Sequence, residues 1–441
     1  MVREAAGSRE MNDVMDVERR DFLRMAGAFG AMATWGGCAS PGGGGGPRGK
    51  VVVVGGGYGG ATAAKYIAVW SGGAVDVTLV EADAAFISCP LSNLVLGGSR
   101  ELADLTVGYD GLAKRGVTIV RGTAIAVDPD KRVVRLEQGA ALPYDRLVLS
   151  PGVDFVYSGV PGLASASAQA RVLHAWKAGA QTLLLRRQLE TMADGGVFAI
   201  VVPRAPYRCP PGPYERACQV AWYFKRAKPR SKVLILDANE DVVSKKALFT
   251  KAWNEEYKDI VEYRPDHVLV DVDVATSTAK FETAEDVKAT LLNVIPPQRA
   301  GNIAAQAGVI TANNAWCEVD FLSFESIKVK GIHVIGDAIQ TAPLMPKSGH
   351  MANQHGKVAA AAILASLAGR PVNPAPVLSN TCYSFITDRD AVHIASVHQY
   401  DRTQKTLTAV PGSGGLSPAM NALEGDYAFA WANNIWADML G

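Results

Sequence analysis

Lys50-Val51-Val52-Val53-Val54-Gly55-Gly56-Gly57-Tyr58-Gly59-Gly60 is the stretch on which the fold turns. Its valine run has the length and apolar continuity of a buried parallel strand. The glycines that follow satisfy G-x-G-x-x-G at Gly55, Gly57 and Gly60. Such glycines allow a tight turn and close approach of backbone to a pyrophosphate, and the next helix presents its N-terminus to the phosphates. Ala61 to Trp70 has helical composition, and Val75 to Val80 reads as the next strand. Glu81 ends that strand 21 residues after Gly60, where a carboxylate can accept hydrogen bonds from a ribose.

Outward from this unit the pattern repeats with changes. Val117 to Leu149 contains short strand-like runs broken by Asp128-Pro129-Asp130 and Gly139, as expected of a meander inserted in the sheet, with Asp145 to Ser150 its last strand. Trp176 to Met192 predicts a helix, and Val197 to Val202 and Lys232 to Leu236 predict strands of a second α/β unit. Its first turn, Pro203-Arg204-Ala205-Pro206-Tyr207-Arg208-Cys209-Pro210-Pro211-Gly212-Pro213, has no glycine fingerprint. Prolines there remove the backbone donors that would cradle a pyrophosphate, which argues against nicotinamide as electron source. Gly331 to Asp337 returns to the strand-then-turn pattern, and Lys357 to Leu367 predicts an Ala-rich helix. Gly336-Asp337 at this strand end is similar to the second flavin motif of two-dinucleotide-domain flavoproteins, where the Asp contacts the ribityl chain; Asp is also a common helix N-cap.

Composition narrows the class. The 441 residues are 48% hydrophobic and 20% charged, which is globular and sufficient for two or three domains. Lys+Arg 44 against Asp+Glu 43 leaves +1, so nothing in the bulk charge favours nucleic acid. No apolar stretch is long enough to span a bilayer. Arg19-Arg20 with Phe22-Leu23, ahead of a small-residue run, predicts a twin-arginine export signal over 1–38 and hence a periplasmic protein. Cys38 is either lipidated or discarded with the signal, and a Gly-rich linker fills 39–49.

Six cysteines stand at 38, 89, 209, 218, 317 and 382. With no C-x-x-C there is neither a common zinc pattern nor a c-type haem attachment in this chain. Cys89 lies beyond the second strand, at the carboxyl edge of the sheet where ligands gather; it is either a flavin-directed thiol or a small buried residue. Leu94 stands where dithiol flavoenzymes carry a second cysteine. Cys209 follows Arg204 and Arg208, cations expected to lower its thiol pKa. Spacing alone does not pair the cysteines.

Residues Lys50 to Tyr66, Cys89 with Leu91-Ser92-Asn93, His174 to Gly179, Arg208 to Arg216, Ile295 to Gly301, Gly331 to Asp337, Pro346 to Gly349 and Asn380 to Ser384 resemble the flavoprotein subunit of flavocytochrome c sulfide dehydrogenase. The resemblance runs from about residue 50 to the C-terminus. It implies an α/β fold of two Rossmann-like dinucleotide-binding domains, as in disulfide-reductase-like flavoproteins, plus a C-terminal α+β interface domain. The domains expected are FAD-binding at 50–155 and 296–370, degenerate NAD-like at 156–295, and C-terminal at 371–441. It implies FAD bound through a thioether at Cys89, a redox-active disulfide between Cys209 and Cys382, and Glu215 as acid–base residue; alternatively Glu215 is an ion-pair partner for Arg216 or a helix-end carboxylate. Electrons from sulfide would pass to a c-type cytochrome on a partner subunit. Two other readings are a sulfide:quinone or NADH:quinone-type enzyme and a non-catalytic electron-transfer flavoprotein. The quinone reading needs Tyr427 to Leu440, with Trp431, Ile435 and Trp436 at helical spacing, to face a membrane rather than the core or a partner.

Overall fold

The computed structural model describes residues 46 and 48–441. The expected export signal with Arg19, Arg20 and Cys38, and the glycine run up to 45, lie outside the described residues. Strand Gly49–Val54 sits inside a seven-stranded sheet whose order is Val319–Asp320, Glu325–Ser326, Ile332–Val334, Arg146–Leu149, Gly49–Val54, Val75–Glu81, Val117–Arg121. The last five strands are parallel. Val51 to Val54 are buried on both faces, which is why they read as a continuous apolar run rather than an alternating one.

The run from 117 to 149 is not one meander. Val117–Arg121 and Arg146–Leu149 belong to the main sheet, while Ala124–Asp128, Val133–Leu136 and Ala141–Pro143 form a separate antiparallel sheet between them. Short strands of similar composition are told apart only by their pairing.

A second parallel sheet carries Val261–Arg264, Lys232–Asp237, Val197–Val202 and Leu291–Val294 in that order. The predicted helix at Trp176 begins later, at Ala180–Thr191, because Trp176, Lys177 and Ala178 lie in a loop that lines the cavity described below. The helix predicted at Lys357 begins earlier, at Gly349–Leu367, capped by the Ser348 hydroxyl, which accepts from Met351 N at 3.1 Å. Asp337 caps no long helix; it lies in a single 3₁₀ turn, Gly336–Ala338.

The C-terminal region is an antiparallel sheet of Val377–Phe385, Ala391–Asp401, Thr406–Ala409 and Gly415–Leu416, followed by helix Ala422–Leu440. That helix turns Ala428, Ala432, Ile435, Trp436 and Met439 inward, and Trp436 Nε1 donates to Tyr58 OH at 3.2 Å. Ile435 and Trp436 are therefore used by the core, whereas Tyr427 is exposed and Trp431 is half-buried on the wall of the cavity described below. Among the described residues no helix is long and apolar enough to cross a membrane.

Helices Tyr58–Trp70 and Gly349–Leu367 pack with their backbones close together. A Cβ at Gly356 would lie 2.6 Å from the Gly59 carbonyl oxygen and 3.0 Å from Thr62 Cβ. Alanine would gain about 1 kcal/mol in helix propensity but would overpack a backbone contact, which costs about 1–3 kcal/mol. Gly356→Ala is expected to be destabilised by about 1 kcal/mol or more, read as a lower urea midpoint at unchanged slope.

Candidate functional site

The glycine loop is shaped by contacts that need glycine. Gly55 has φ +99°, and a Cβ on Gly60 would meet the Gly55 carbonyl oxygen at 1.8 Å. Gly57, by contrast, faces open space, with nothing within 4 Å of its would-be Cβ. Glu81 Oε2 accepts from Gly56 N at 2.6 Å and Oε1 from Asp83 N at 2.8 Å, so this carboxylate fixes the loop beside the position expected of a ribose. Asp337 Oδ1 is buried without a hydrogen-bond partner. A buried carboxylate oxygen left bare is costly and marks where a hydroxyl-bearing ligand belongs.

One cavity of about 450 Å³ is lined by Gly55, Gly57, Glu81, Cys89, Cys209, Glu215, Asp337 and Cys382. Of the glycines and acids expected to bind the dinucleotide, Gly60 and Gly336 are not on its wall; Gly60 packs against Gly55 in the first helical turn and Gly336 shapes a turn at φ +72°.

Cys89 is held by its neighbours' hydroxyls. Ser92 Oγ donates to its carbonyl at 2.6 Å and Ser88 Oγ to that of Pro90 at 2.7 Å. Its sulfur receives Arg208 Nη2 at 2.6 Å and Ala178 N at 3.3 Å. Leu94, where a second cysteine would stand, is wholly buried core.

Cys209 occupies a strained turn, φ +56°, with its N–H on the Lys347 carbonyl at 2.8 Å. Helix Gly212–Ala227 starts three residues on, and a Cβ at Gly212 would come within 2.9 Å of Cys209 Sγ. The expectation that flanking arginines lower this thiol's pKa is not met. Burial pushes Cys209 well up, followed by the Glu215 charge, and Arg208 offsets little. Arg204 is exposed, and the Arg208 guanidinium is spent on Cys89.

Cys382 lies mid-strand, opposite Ile394. Its thiol is raised by burial, with Lys245 the first of the opposing influences. Cys209 and Cys382 face the same cavity as separate thiols. Cys218 and Cys317 are fully buried and off the cavity wall.

Glu215 makes no ion pair with Arg216, but it is a helix-end carboxylate, in the first turn of helix Gly212–Ala227, and it is buried there. Its Oε2 accepts from Asn93 Nδ2 and its Oε1 from Phe385 N, both at 2.8 Å. Burial outweighs these bonds and raises its pKa. Arg216 instead donates to the carbonyls of His174 and Ala175 and to Asn93 and Asn293, with its guanidinium 4.7 Å from the Trp176 ring. Burial brings it down to about 9. Lys347 is a further cation on the cavity wall, donating to the Asp337 and Ile339 carbonyls at 2.8 and 2.6 Å, and burial lowers it to about 8.

In the second domain, Asp237 stands at the strand end where Glu81 stands in the first. It is wholly buried and accepts from Tyr214 OH at 2.7 Å, Tyr263 OH at 3.2 Å and Asn239 Nδ2 at 2.7 Å. A carboxylate so engaged has no free lone pairs facing a ribose.

Comparison with known proteins agrees with this geometry. The model for the sulfide dehydrogenase (flavocytochrome c) flavoprotein chain, central part, matches residues 182–296, and that for flavocytochrome c sulphide dehydrogenase, flavin-binding, matches 374–440. Over these two segments the chain is similar to the flavocytochrome c sulfide dehydrogenase flavoprotein family. The pyridine nucleotide-disulphide oxidoreductase model matches 49–189. Mitochondrial sulfide:quinone oxidoreductase from Dictyostelium discoideum is 24% identical over 273 residues, 59% of each chain, so the match spans little more than half of that relative's length. Sulfide:quinone oxidoreductase from Aquifex aeolicus has the same fold, with TM-score 0.72 at 18% identity over 88% of this chain and 91% of the other. A ferredoxin reductase from Rhodopseudomonas palustris gives TM-score 0.61 at 14% identity over 87% and 93%.

The flavin-binding match and the flavoprotein neighbours support FAD as the cofactor. The bare Asp337 oxygen, the open face of Gly57 and the Glu81 carboxylate all fit it. Losing a charged hydrogen bond costs about 1.5–3 kcal/mol. In a Cys89→Ala background, which removes any covalent hold, Glu81→Ala is expected to bind FAD about tenfold or more weakly, measured by fluorescence titration of the apoprotein.

Proposed function

We propose that this protein oxidises hydrogen sulfide to sulfur or polysulfide through a Cys209–Cys382 disulfide and FAD, delivering electrons to a c-type cytochrome on a partner subunit. The observation that carries this reading is the meeting of two cysteines, 173 residues apart in sequence, on the wall of the cavity that also holds the dinucleotide-binding residues. The similarity to the sulfide dehydrogenase flavoprotein models supports the substrate class.

Sulfide enters largely as the hydrosulfide anion, which the cations of Arg208 and Lys347 on the cavity wall attract. Attack on one sulfur of the bond leaves a persulfide on that cysteine and a thiolate on the other. Glu215, raised by burial, holds its proton to higher pH than an exposed carboxyl and can exchange it with a sulfur species in the cavity. Asn93 and the Phe385 N–H keep it pointed there. Bound FAD supplies the ability to take electrons as a pair and return them one at a time. Gly57, Glu81 and Asp337 would hold its phosphates, ribose and ribityl chain.

Cys89 is the proposed attachment point for the flavin. Arg208 and the Ala178 N–H both point donors at its sulfur, which orients that sulfur in the cavity. Export by the twin-arginine route to the periplasm belongs to the same proposal, since that route carries proteins already folded around a cofactor.

Nicotinamide is disfavoured as donor by the Pro-rich turn and by the engagement of Asp237. A quinone as acceptor is the second reading, favoured by the likeness to sulfide:quinone oxidoreductases. Against it stands the burial of Ile435 and Trp436 of the C-terminal helix in the core.

Stopped-flow reduction of the purified protein by sulfide, then oxidation by a c-type cytochrome, tests the reading. Cys209→Ser and Cys382→Ser are each expected to lose sulfide-dependent cytochrome reduction by at least about a thousandfold. Unchanged rates would leave only an electron carrier, and faster oxidation by a quinone would reassign the acceptor. After acid precipitation the flavin is expected to stay with the pellet of the parent and to move to the supernatant for Cys89→Ala.

A further inference from the structure

Lys245 is a buried charge that the chemistry above does not use. It is 4% exposed, in a left-handed conformation (φ 56°) just before helix Lys246–Glu255. Its ammonium donates to the Cys382 carbonyl at 2.7 Å, Ser384 Oγ at 2.8 Å and the Val392 carbonyl at 3.4 Å. All three acceptors are neutral. Among the described residues no carboxylate lies within ion-pair distance of it.

An ammonium buried without a counter-ion is expensive, and a methionine of similar length would pack at less cost. The ionisable groups facing Lys245 are Cys382 on its strand, Glu215 and Cys209 at the start of helix Gly212–Ala227, and Glu424 on the C-terminal helix. Lys245 itself is off the cavity wall, so it touches no substrate. The residue it holds most directly is Cys382.

We propose that Lys245 is a positioning residue whose ammonium is the counter-charge for the thiolate that forms on Cys382 when the bond to Cys209 opens. The inference rests on the disulfide reading above and adds which sulfur is attacked. Hydrosulfide forms a new S–S bond to Cys209, the Cys209–Cys382 bond breaks, and its electron pair leaves on Cys382. The incoming sulfur is oxidised, Cys382 is reduced, and the hydrosulfide proton stays on the Cys209 persulfide.

The surroundings of the two sulfurs agree with this direction. Asn380 lies 3.6 Å from Cys382 Sγ, whereas no donor reaches Cys209 Sγ among the described residues. In thiol–disulfide exchange the sulfur better stabilised as thiolate leaves faster.

The test measures iodoacetamide alkylation of residue 382 against pH, by peptide mass, in the reduced Cys209→Ser protein. Adding Lys245→Met is expected to raise the pH midpoint by about one unit or more, while Lys245→Arg leaves it near the parent's value. Lys245→Gln keeps a donor without the charge, and serves the same purpose if the methionine variant does not fold. An unchanged midpoint in an uncharged variant with parental flavin content overturns the inference, as does an equal rise in Lys245→Arg, which would make the role one of packing. Intact mass of the non-reduced wild type reports separately on the cross-link. Its absence would remove the disulfide reading, and the assignment of the attacked sulfur with it, whatever the alkylation midpoints.

Discussion

The site depends on one buried carboxylate with two partners from distant parts of the chain. Glu215 accepts from Asn93 Nδ2 and from Phe385 N. Asn93 comes from the first α/β region, Glu215 from the helix after the Pro-rich turn, and Phe385 from the C-terminal sheet. A carboxyl group this deep is tolerated only with hydrogen bonds on both oxygens, so the three segments must meet for any one of them to be stable. Once they meet, Cys209 just before that helix and Cys382 three residues before Phe385 reach the same cavity.

A second layer of buried cations surrounds this point. Arg216 ties Asn93 to Asn293 and to the carbonyls of His174 and Ala175, and Lys347 ties the turn after Asp337. Burial lowers Arg216 to about 9 and both Lys347 and Lys245 to about 8, with neighbouring negative groups opposing the fall. The cavity is thus built to hold negative charge, which suits a hydrosulfide anion, thiolates and the phosphates of a dinucleotide. The second domain lacks a comparable phosphate cradle, and its strand-end carboxylate is bound by tyrosines instead.

The dinucleotide half of this protein was legible in the sequence because its constraints are local. Gly55 needs a positive φ, Gly60 has no room for a Cβ, and Glu81 lies one strand away; each leaves a residue type at a fixed spacing. The sequence pattern places the start of the Ala180 helix too early because Trp176 to Ala178 line the cavity, a demand that has no local periodicity. The strands around the 124–143 meander were likewise merged, since composition does not say which neighbour a strand pairs with.

By itself the sequence determined the strand–glycine loop–helix unit and its acid, the loss of the second phosphate loop, and the resemblance to one flavoprotein family. Only the tertiary structure decided that Cys209 and Cys382 share a cavity, that Arg208 serves Cys89 rather than Cys209, and that Lys245 lies behind Cys382. The physical reason is range. Backbone geometry at a turn is dictated by adjacent residues, whereas the ionisation of a thiol is set by burial and by charges that reach it from segments far away in the chain.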